Sequence, residues 1–262
     1  MEFSILSAQE FYTQVEEYES GLDPTWDEES YQESEPEEMR LLSTVLGAGN
    51  GKSVLDCSCG TGLQAIPLAK LGWQVTATDI TELFMEKARQ RAERMNLAIR
   101  FRACDMRNLG QLFDAEFDQV ITCMALDNIT EDKGIRQAIQ GMISALKPGG
   151  KLYIRVRDWD YIMNERERYD FGGERQLPYG KLYSMQDWVY ESDTQVINVK
   201  VYWLQDLRKT GDQWSREIFA IRRRPLRQAE LEAFIWEAGL KSVEWVPRPE
   251  ILYPPEEVVA VK

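Results

Sequence analysis

The segment Asp56-Cys57-Ser58-Cys59-Gly60-Thr61-Gly62 is where residue type and spacing first suggest chemistry in this 262-residue sequence. Glycines at 60 and 62 let a backbone turn sharply and approach a ligand closely, and a helix beginning there offers free N–H groups to an anionic group. Asp79 follows 17 residues past Gly62 at the end of an apolar run, where a carboxylate can reach the vicinal hydroxyls of a ribose. Asp105 closes the next such run and would reach the same crevice. The set predicts a nucleotide-like ligand.

The sequence contains no histidine. Serine and cysteine nucleophile systems that depend on an imidazole, His-ligated zinc and imidazole proton shuttles are therefore excluded. Catalysis must run on carboxylates, Tyr, Lys, Cys, backbone dipoles or a cofactor. Cys57, Cys59, Cys104 and Cys123 read as reduced thiols of a cytoplasmic protein. Cys57-Ser58-Cys59 has no second pair at finger spacing, so no metal site is expected.

Lys and Arg number 31 against 44 Asp and Glu, a net charge of −13, and residues 1–40 hold 13 of the acids with one base, Arg40. Such a chain repels a phosphate backbone, so nucleic acid is not expected as a partner. Arg222-Arg223-Arg224 reads as an exposed strand end with solvated charges rather than an anion site. No apolar run approaches the roughly 18 residues of a membrane span, and 44% hydrophobic residues suffice for a sizeable core.

These residues need a frame that brings strand ends together. From Lys52 onward, short β-rich runs alternate with helical ones. Strands are expected at Ser53–Cys57, Gln74–Asp79, Ile99–Cys104, Phe117–Met124 and Lys151–Val156, and helices at about 62–71, 81–96 and 131–147, with a shorter piece near 108–113. Strands apolar through their length, alternating with helices, predict a parallel sheet covered on both faces, with strand C-termini along one edge. Residues 1–35, acidic with scattered aromatics, read as helical turns folded over something. Ser34 reads as the cap of a helix ending at Gly47. Beyond Val156 three stretches, about 182–191, 195–206 and 214–223, show period-two faces and predict an antiparallel insertion. A helix at Gln228–Ala238 and strands at about 241–246 and 257–261 complete the chain.

Gly60-Thr61-Gly62-Leu63-Gln64-Ala65 also satisfies the loose dinucleotide pattern, so a nicotinamide-dependent oxidoreductase competes. Against it stand Asp56 at the end of the first strand, a second acid at Asp105, and the absence of both Tyr-x-x-x-Lys and histidine.

The ordered set resembles the class I S-adenosylmethionine-dependent methyltransferases. It comprises Asp56 with Gly60-x-Gly62, Asp79, Ala103-Cys104-Asp105-Met106, Phe117-Asp118-Gln119-Val120-Ile121, and Leu146-Lys147-Pro148-Gly149-Gly150. The motif I spelling, the aromatic N-terminal segment, the insertion after strand five and Arg157-Asp158-Trp159-Asp160 are similar to the glycine/sarcosine N-methyltransferase-like branch. The resemblance implies a Rossmann-like seven-stranded, mostly parallel α/β sheet with helices on both faces and an antiparallel β insertion after strand five. It divides the chain into an N-terminal lid segment (1–35), a cofactor-binding core (36–157), a substrate-side insertion (158–226) and a closing helix with a strand pair (227–262).

The same resemblance assigns roles. Asp56 and the Gly60–Gly62 backbone face the methionine end of the cofactor, Asp79 the ribose, and Asp105 and Met106 the adenine. Ser58, Ile80 and Cys123 border it, while Tyr18 and Trp26 lid the sulfonium, whose charge attracts aromatic faces; a hydrophobic staple is the other reading of that pair. Arg157 grips an acceptor carboxylate or else forms a surface ion pair, and Tyr179, Tyr183 and Tyr202 line the acceptor pocket or pack as core. Family members carry Asn and often His just after strand four, where Ala125 and Ile129 fall here. Asp127 and Asn128 stand beside those places as the catalytic candidates.

The implied activity is methyl transfer to a small molecule, most simply an amine nitrogen, with S-adenosyl-L-methionine as cofactor and no metal. An O-methyltransferase using Asp127 as base and a catalytically weak, cofactor-binding regulator remain alternatives. The acidic N-terminal segment leaves room for a homo-oligomer.

Overall fold

Five short apolar runs pair as parallel strands: β1 (Ser53–Asp56), β2 (Gln74–Asp79), β3 (Ile99–Ala103), β4 (Phe117–Cys123) and β5 (Leu146–Val156). The computed structural model describes residues 4–22, 26–177, 180–190, 196–206, 214–246 and 256–262. The sheet order is β3-β2-β1-β4-β5, and the antiparallel β11 (Glu256–Val261) and β10 (Ser242–Trp245) extend the β5 edge to seven strands. β1 pairs on one side with β2 and on the other with β4, so the strand order reverses beside it and opens a crevice at the strand C-termini.

Successive strand residues face opposite sides, and both sides here are apolar. Val120, Leu152 and Ile154 belong to one core cluster, whereas Ile121 and Tyr153 belong to the other. Helices α3 (Ala65–Lys70), α4 (Glu82–Arg94), α5 (Asp132–Ala145) and α7 (Gln228–Glu237) cover the faces. β5 starts at Leu146, opposite Phe117, earlier than the apolar run suggests, with an irregularity in β4 between Phe117 and Gln119. Among the described residues no helix is long and apolar enough to cross a membrane.

The N-terminal residues form two helices, α1 (Ala8–Leu22) and α2 (Trp26–Val45). The expected cap at Ser34 is not used, because α2 runs through Pro36. Proline removes one helical hydrogen bond and displaces the carbonyl four residues back, but Gln32 and Pro36 are both exposed, so water can satisfy what is lost. Side-chain anchors hold the helix across that point. Tyr31 is buried under the Arg91 guanidinium, 4.0 Å from its ring centroid, Glu35 pairs with Lys70, and Glu38 accepts from Arg155 at 2.7 Å. The acids of this segment thus face bases of the core: Glu16 pairs with Lys87, and Glu28 with Arg91 at 3.2 Å and Arg94 at 2.6 Å.

After β5 comes a short helix α6 (Trp159–Glu165), then a separate antiparallel sheet of four strands rather than three: β6 (Tyr169–Leu177), β7 (Gly180–Tyr190), β8 (Ile197–Asp206) and β9 (Trp214–Arg223). β6 escaped the sequence reading because Asp170-Phe171-Gly172-Gly173-Glu174 has no alternating apolar face. It lies on the edge of the sheet, exposed through most of its length, with a register shift between Phe171 and Gly173. The buried face of this sheet carries Leu182, Trp188, Val199, Val201, Trp203 and Ile221. The chain before α1 docks on β9, where the Leu6 N–H donates to the Ala220 carbonyl at 2.9 Å.

Candidate functional site

β1 ends at Asp56, and the following loop is clamped from both sides. The Cys57 N–H donates to Ile121 O at 3.0 Å, and the Cys59 N–H to Thr78 O at 3.0 Å. Gly60 (φ +49°) and Gly62 (φ +96°) then take the left-handed conformations that favour glycine. They serve different ends. A Cβ on Gly62 would sit 3.0 Å from Ile66 and 3.2 Å from Ala88, so this glycine lets α3 and α4 pack. A Cβ on Gly60 would meet nothing within 4 Å, so the space above it is open.

The Asp79 carboxylate anchors that loop, accepting from the Gly60 N–H and the Thr81 N–H, each at 2.9 Å. Each oxygen keeps lone-pair capacity for a hydroxyl donor. Burial pushes the Asp79 carboxyl above its ordinary value. Asp56 is wholly buried: one oxygen accepts from the Ser58 N–H at 3.2 Å and the other has no partner among the described residues. Burial, reinforced by the nearby Asp79 and Glu38 carboxylates, pushes Asp56 up to about 8.

A cavity of 740 Å³ opens over the strand ends. Of the residues expected to hold a cofactor, Ser58, Gly60, Asp79, Ile80, Asp105, Met106 and Cys123 line it, and so do Asn128 and Arg157. Asp56 and Gly62 stand behind this wall and shape the loop. Asp105 accepts from the Arg107 N–H and Nε at about 2.9–3.0 Å; burial pushes its carboxyl up, but the Arg107 contacts outweigh burial and hold it below the usual range. It therefore also serves as the turn cap. All four cysteines are buried, and none is in a disulfide.

The aromatic expectations divide differently. Tyr18 packs on the insertion sheet, 5.9 Å from Phe219 and 6.5 Å from Trp203, and does not line the cavity. Tyr12, one helical turn and a half earlier, does. Trp26 opens α2, but its side chain lies outside the described residues, as does Tyr179. Tyr183 packs against Trp214 with ring centroids 5.8 Å apart, and Tyr202 of β8 pairs with Ile218 of β9; neither lines the cavity.

Asp127 is 1% exposed, held by Arg157 and 3.6 Å from Arg223. Asn128 accepts from Arg223 at 3.0 Å and from the Tyr12 hydroxyl at 3.4 Å. Of the arginine triplet only Arg222 is exposed, as a solvated strand end would be. Arg223 and Arg224 are buried, and Arg224 reaches Glu230 at 2.5 Å and Asp132 at 3.2 Å, because β9 runs into the core beside the strand-four loop. Arg157 pairs with Asp127 rather than with Asp158, Asp160 or Glu165.

The sequence reading missed Tyr12, Met124, Arg222 and residues 5–9, which also line the cavity. Tyr12 carried only a general aromatic signal. Met124 lay at the end of an apolar run, and nothing in its type reveals its φ of +56°.

Residues 54–150 match the methyltransferase domain family. The match takes in β1 to the start of β5 and covers less than half of the chain. The fold is the one that S-adenosylmethionine-dependent methyltransferases of solved structure share. A ubiquinone biosynthesis O-methyltransferase of Coxiella burnetii is 38% identical over 103 residues, 39% of this chain and 42% of that protein. The chain thus spans less than half the length of that curated relative. Among solved structures, a sugar N-methyltransferase of Streptoalloteichus superposes with a TM-score of 0.67 at 16% identity, over 100% of this chain and 96% of the other. An amino pentose methyltransferase of Micromonospora echinaspora gives 0.66 at 19% identity, over 88% and 90%. These two likenesses show the fold.

The crevice has room for a nucleoside-sized ligand. The cavity falls in the range of small-molecule sites, about 300–1,000 Å³, the surface over Gly60 is open, and Asp79 offers two oxygens to a vicinal diol.

Proposed function

We propose that the protein transfers a methyl group from S-adenosyl-L-methionine to a nitrogen of a small-molecule amine. When bound, the cofactor supplies a sulfonium-activated methyl group, an electrophile that needs no further activation. Asp79 and the Gly60 backbone hold the ribose end, Met106 and Ile80 the base, and Ser58 and Cys123 the floor of the crevice. Residues 5–9 and Tyr12 cover it from above and exclude water. The remaining work is alignment, since holding acceptor and methyl carbon at about 3–3.5 Å can be worth roughly 7–11 kcal/mol.

The observation that carries nitrogen over oxygen is the state of Asp127. A hydroxyl acceptor needs a base, whereas an amine can shed its proton to water. Asp127 is buried against two guanidinium groups and does not line the cavity. It anchors Arg157 instead of facing an acceptor in the cavity. An O-methyl reading draws on Glu131, an exposed carboxylate on the cavity wall, and on the name of the curated relative.

Calorimetric titration with S-adenosylmethionine, S-adenosylhomocysteine and NADPH, followed by an acceptor screen for homocysteine-product release, tests the proposal. Binding of the first two with turnover on amines supports it. Turnover on phenols alone replaces nitrogen by oxygen, binding without turnover on any acceptor supports a regulator, and binding of NADPH alone overturns the class.

A further inference from the structure

Behind Arg157 and Met124 lies a second chamber of 250 Å³, for which those two residues form a wall shared with the cofactor cavity. Met124 holds a left-handed backbone that a methionine rarely adopts. Strain of this kind persists where surrounding structure enforces it, and it is concentrated at functional sites. Here it stands at the junction of two cavities.

The chamber's composition points to a charge. Tyr161 on α6, Tyr169 on β6, and Trp188 and Tyr190 on β7 give it aromatic walls, and Asp158, Glu165, Glu167 and Asp170 give it carboxylates. Arg157 is the one cation among the described residues that line it, and Asp127 meets that charge from the other side. Trp188 is 7% exposed, and its indole N–H has no acceptor among the described residues. Aromatic faces and carboxylates favour an organic cation, and an unpaired N–H favours a ligand that also carries an acceptor oxygen.

We propose that this chamber is the acceptor site, and that the acceptor is a small hydroxylated amine that binds as its ammonium ion, with the reacting nitrogen at the Met124–Arg157 junction. The inference rests on the methyltransferase reading for its reaction, but not for its ligand chemistry. The nitrogen reacts through its lone pair. The ammonium proton therefore passes to a chamber carboxylate or to water, and then the N–C bond forms as the C–S bond breaks, its electron pair going to sulfur. The product nitrogen carries the positive charge that the sulfonium loses.

The test uses the full-length protein and two non-reacting probes of nearly equal shape, choline and its uncharged carbon isostere 3,3-dimethylbutan-1-ol, followed by ligand-observed NMR. Choline is expected to bind at least about tenfold more tightly than the isostere. A Tyr161→Ala/Tyr169→Ala double variant, at two exposed positions, is expected to weaken choline by about tenfold while S-adenosylhomocysteine binds as before. Equal binding of the two probes, no binding of choline, or an unaffected double variant would overturn the proposal. If S-adenosylhomocysteine fails to bind while choline binds selectively, the methyltransferase reading falls and the cation site stands; the opposite result removes the cation site alone.

Discussion

Arg223, the last residue of the insertion sheet, donates to the side-chain oxygen of Asn128, just beyond β4, across 3.0 Å and 95 positions of sequence. The same guanidinium lies 3.6 Å from Asp127 and 3.5 Å from the Tyr12 hydroxyl. One buried cation therefore ties together the insertion, the strand-four loop and the N-terminal helix, the three walls that meet at the cavity. Arg223→Gln is expected to lower turnover by about tenfold or more while changing cofactor affinity only a few-fold, since Asp79 and Gly60 are untouched. Steady-state kinetics beside calorimetry on the same preparation checks this; a loss confined to cofactor affinity would refute it.

Asp79→Ala removes the acceptor for two backbone N–H groups as well as the proposed diol contact. Affinity for S-adenosylhomocysteine should fall by about a hundredfold or more. Gly62→Val should do the same by a different route, because a side chain there meets Ile66 and Ala88 in a backbone conformation unsuited to valine. Circular dichroism separates the two: Gly62→Val lowers the melting temperature as well, whereas Asp79→Ala loses binding first.

The fully buried Asp56 gives a stability that depends on pH with a definite sign. Its folded value of about 8 stands above the ordinary aspartate value near 3.8. Between those two values the unfolded chain binds fewer protons than the folded one, so the contribution of Asp56 is fully present below about pH 4 and is lost as pH rises toward 8. Asp56→Asn removes the titration. Its stability relative to the parent should therefore increase between pH 5 and pH 8, as read from urea midpoints, and a difference independent of pH would contradict the assignment.

Arg155 is 6% exposed and bonds Glu257 at 2.9 Å and Glu38 at 2.7 Å, joining β5, β11 and α2. Arg155→Met takes the guanidinium away from two buried carboxylates and should cost about 3–5 kcal/mol. Adding Glu38→Gln and Glu257→Gln should recover a large part of that loss in the same denaturation assay. No recovery would mean that the cost lies in packing.

The core was legible because its signals are local. β2 was readable at both ends from Gln74 to Asp79, and glycines 60 and 62 stand where left-handed turns are needed. What escaped depends on distant partners. Nothing near Ser34 announces that Arg91, Lys70 and Arg155 will carry a helix through Pro36. Nothing near Arg223 announces that it will be buried against residues 127 and 128. Tyr18 and Tyr12 differ only in the helix face they occupy, and that face is fixed by β9, some 200 residues later.

The hydrogen bond from Leu6 to Ala220 has a consequence for the order of events during synthesis. The strands that carry Asp79 and the glycines lie within residues 53–156 and can pair as soon as they emerge. The wall made by residues 5–12 has no sheet to settle on until β9 has left the ribosome. Contacts of such long sequence separation form late, because their loop must close first. A nascent chain would thus hold an open crevice before a closed one, and ligand added during translation would meet the floor of the site long before its roof.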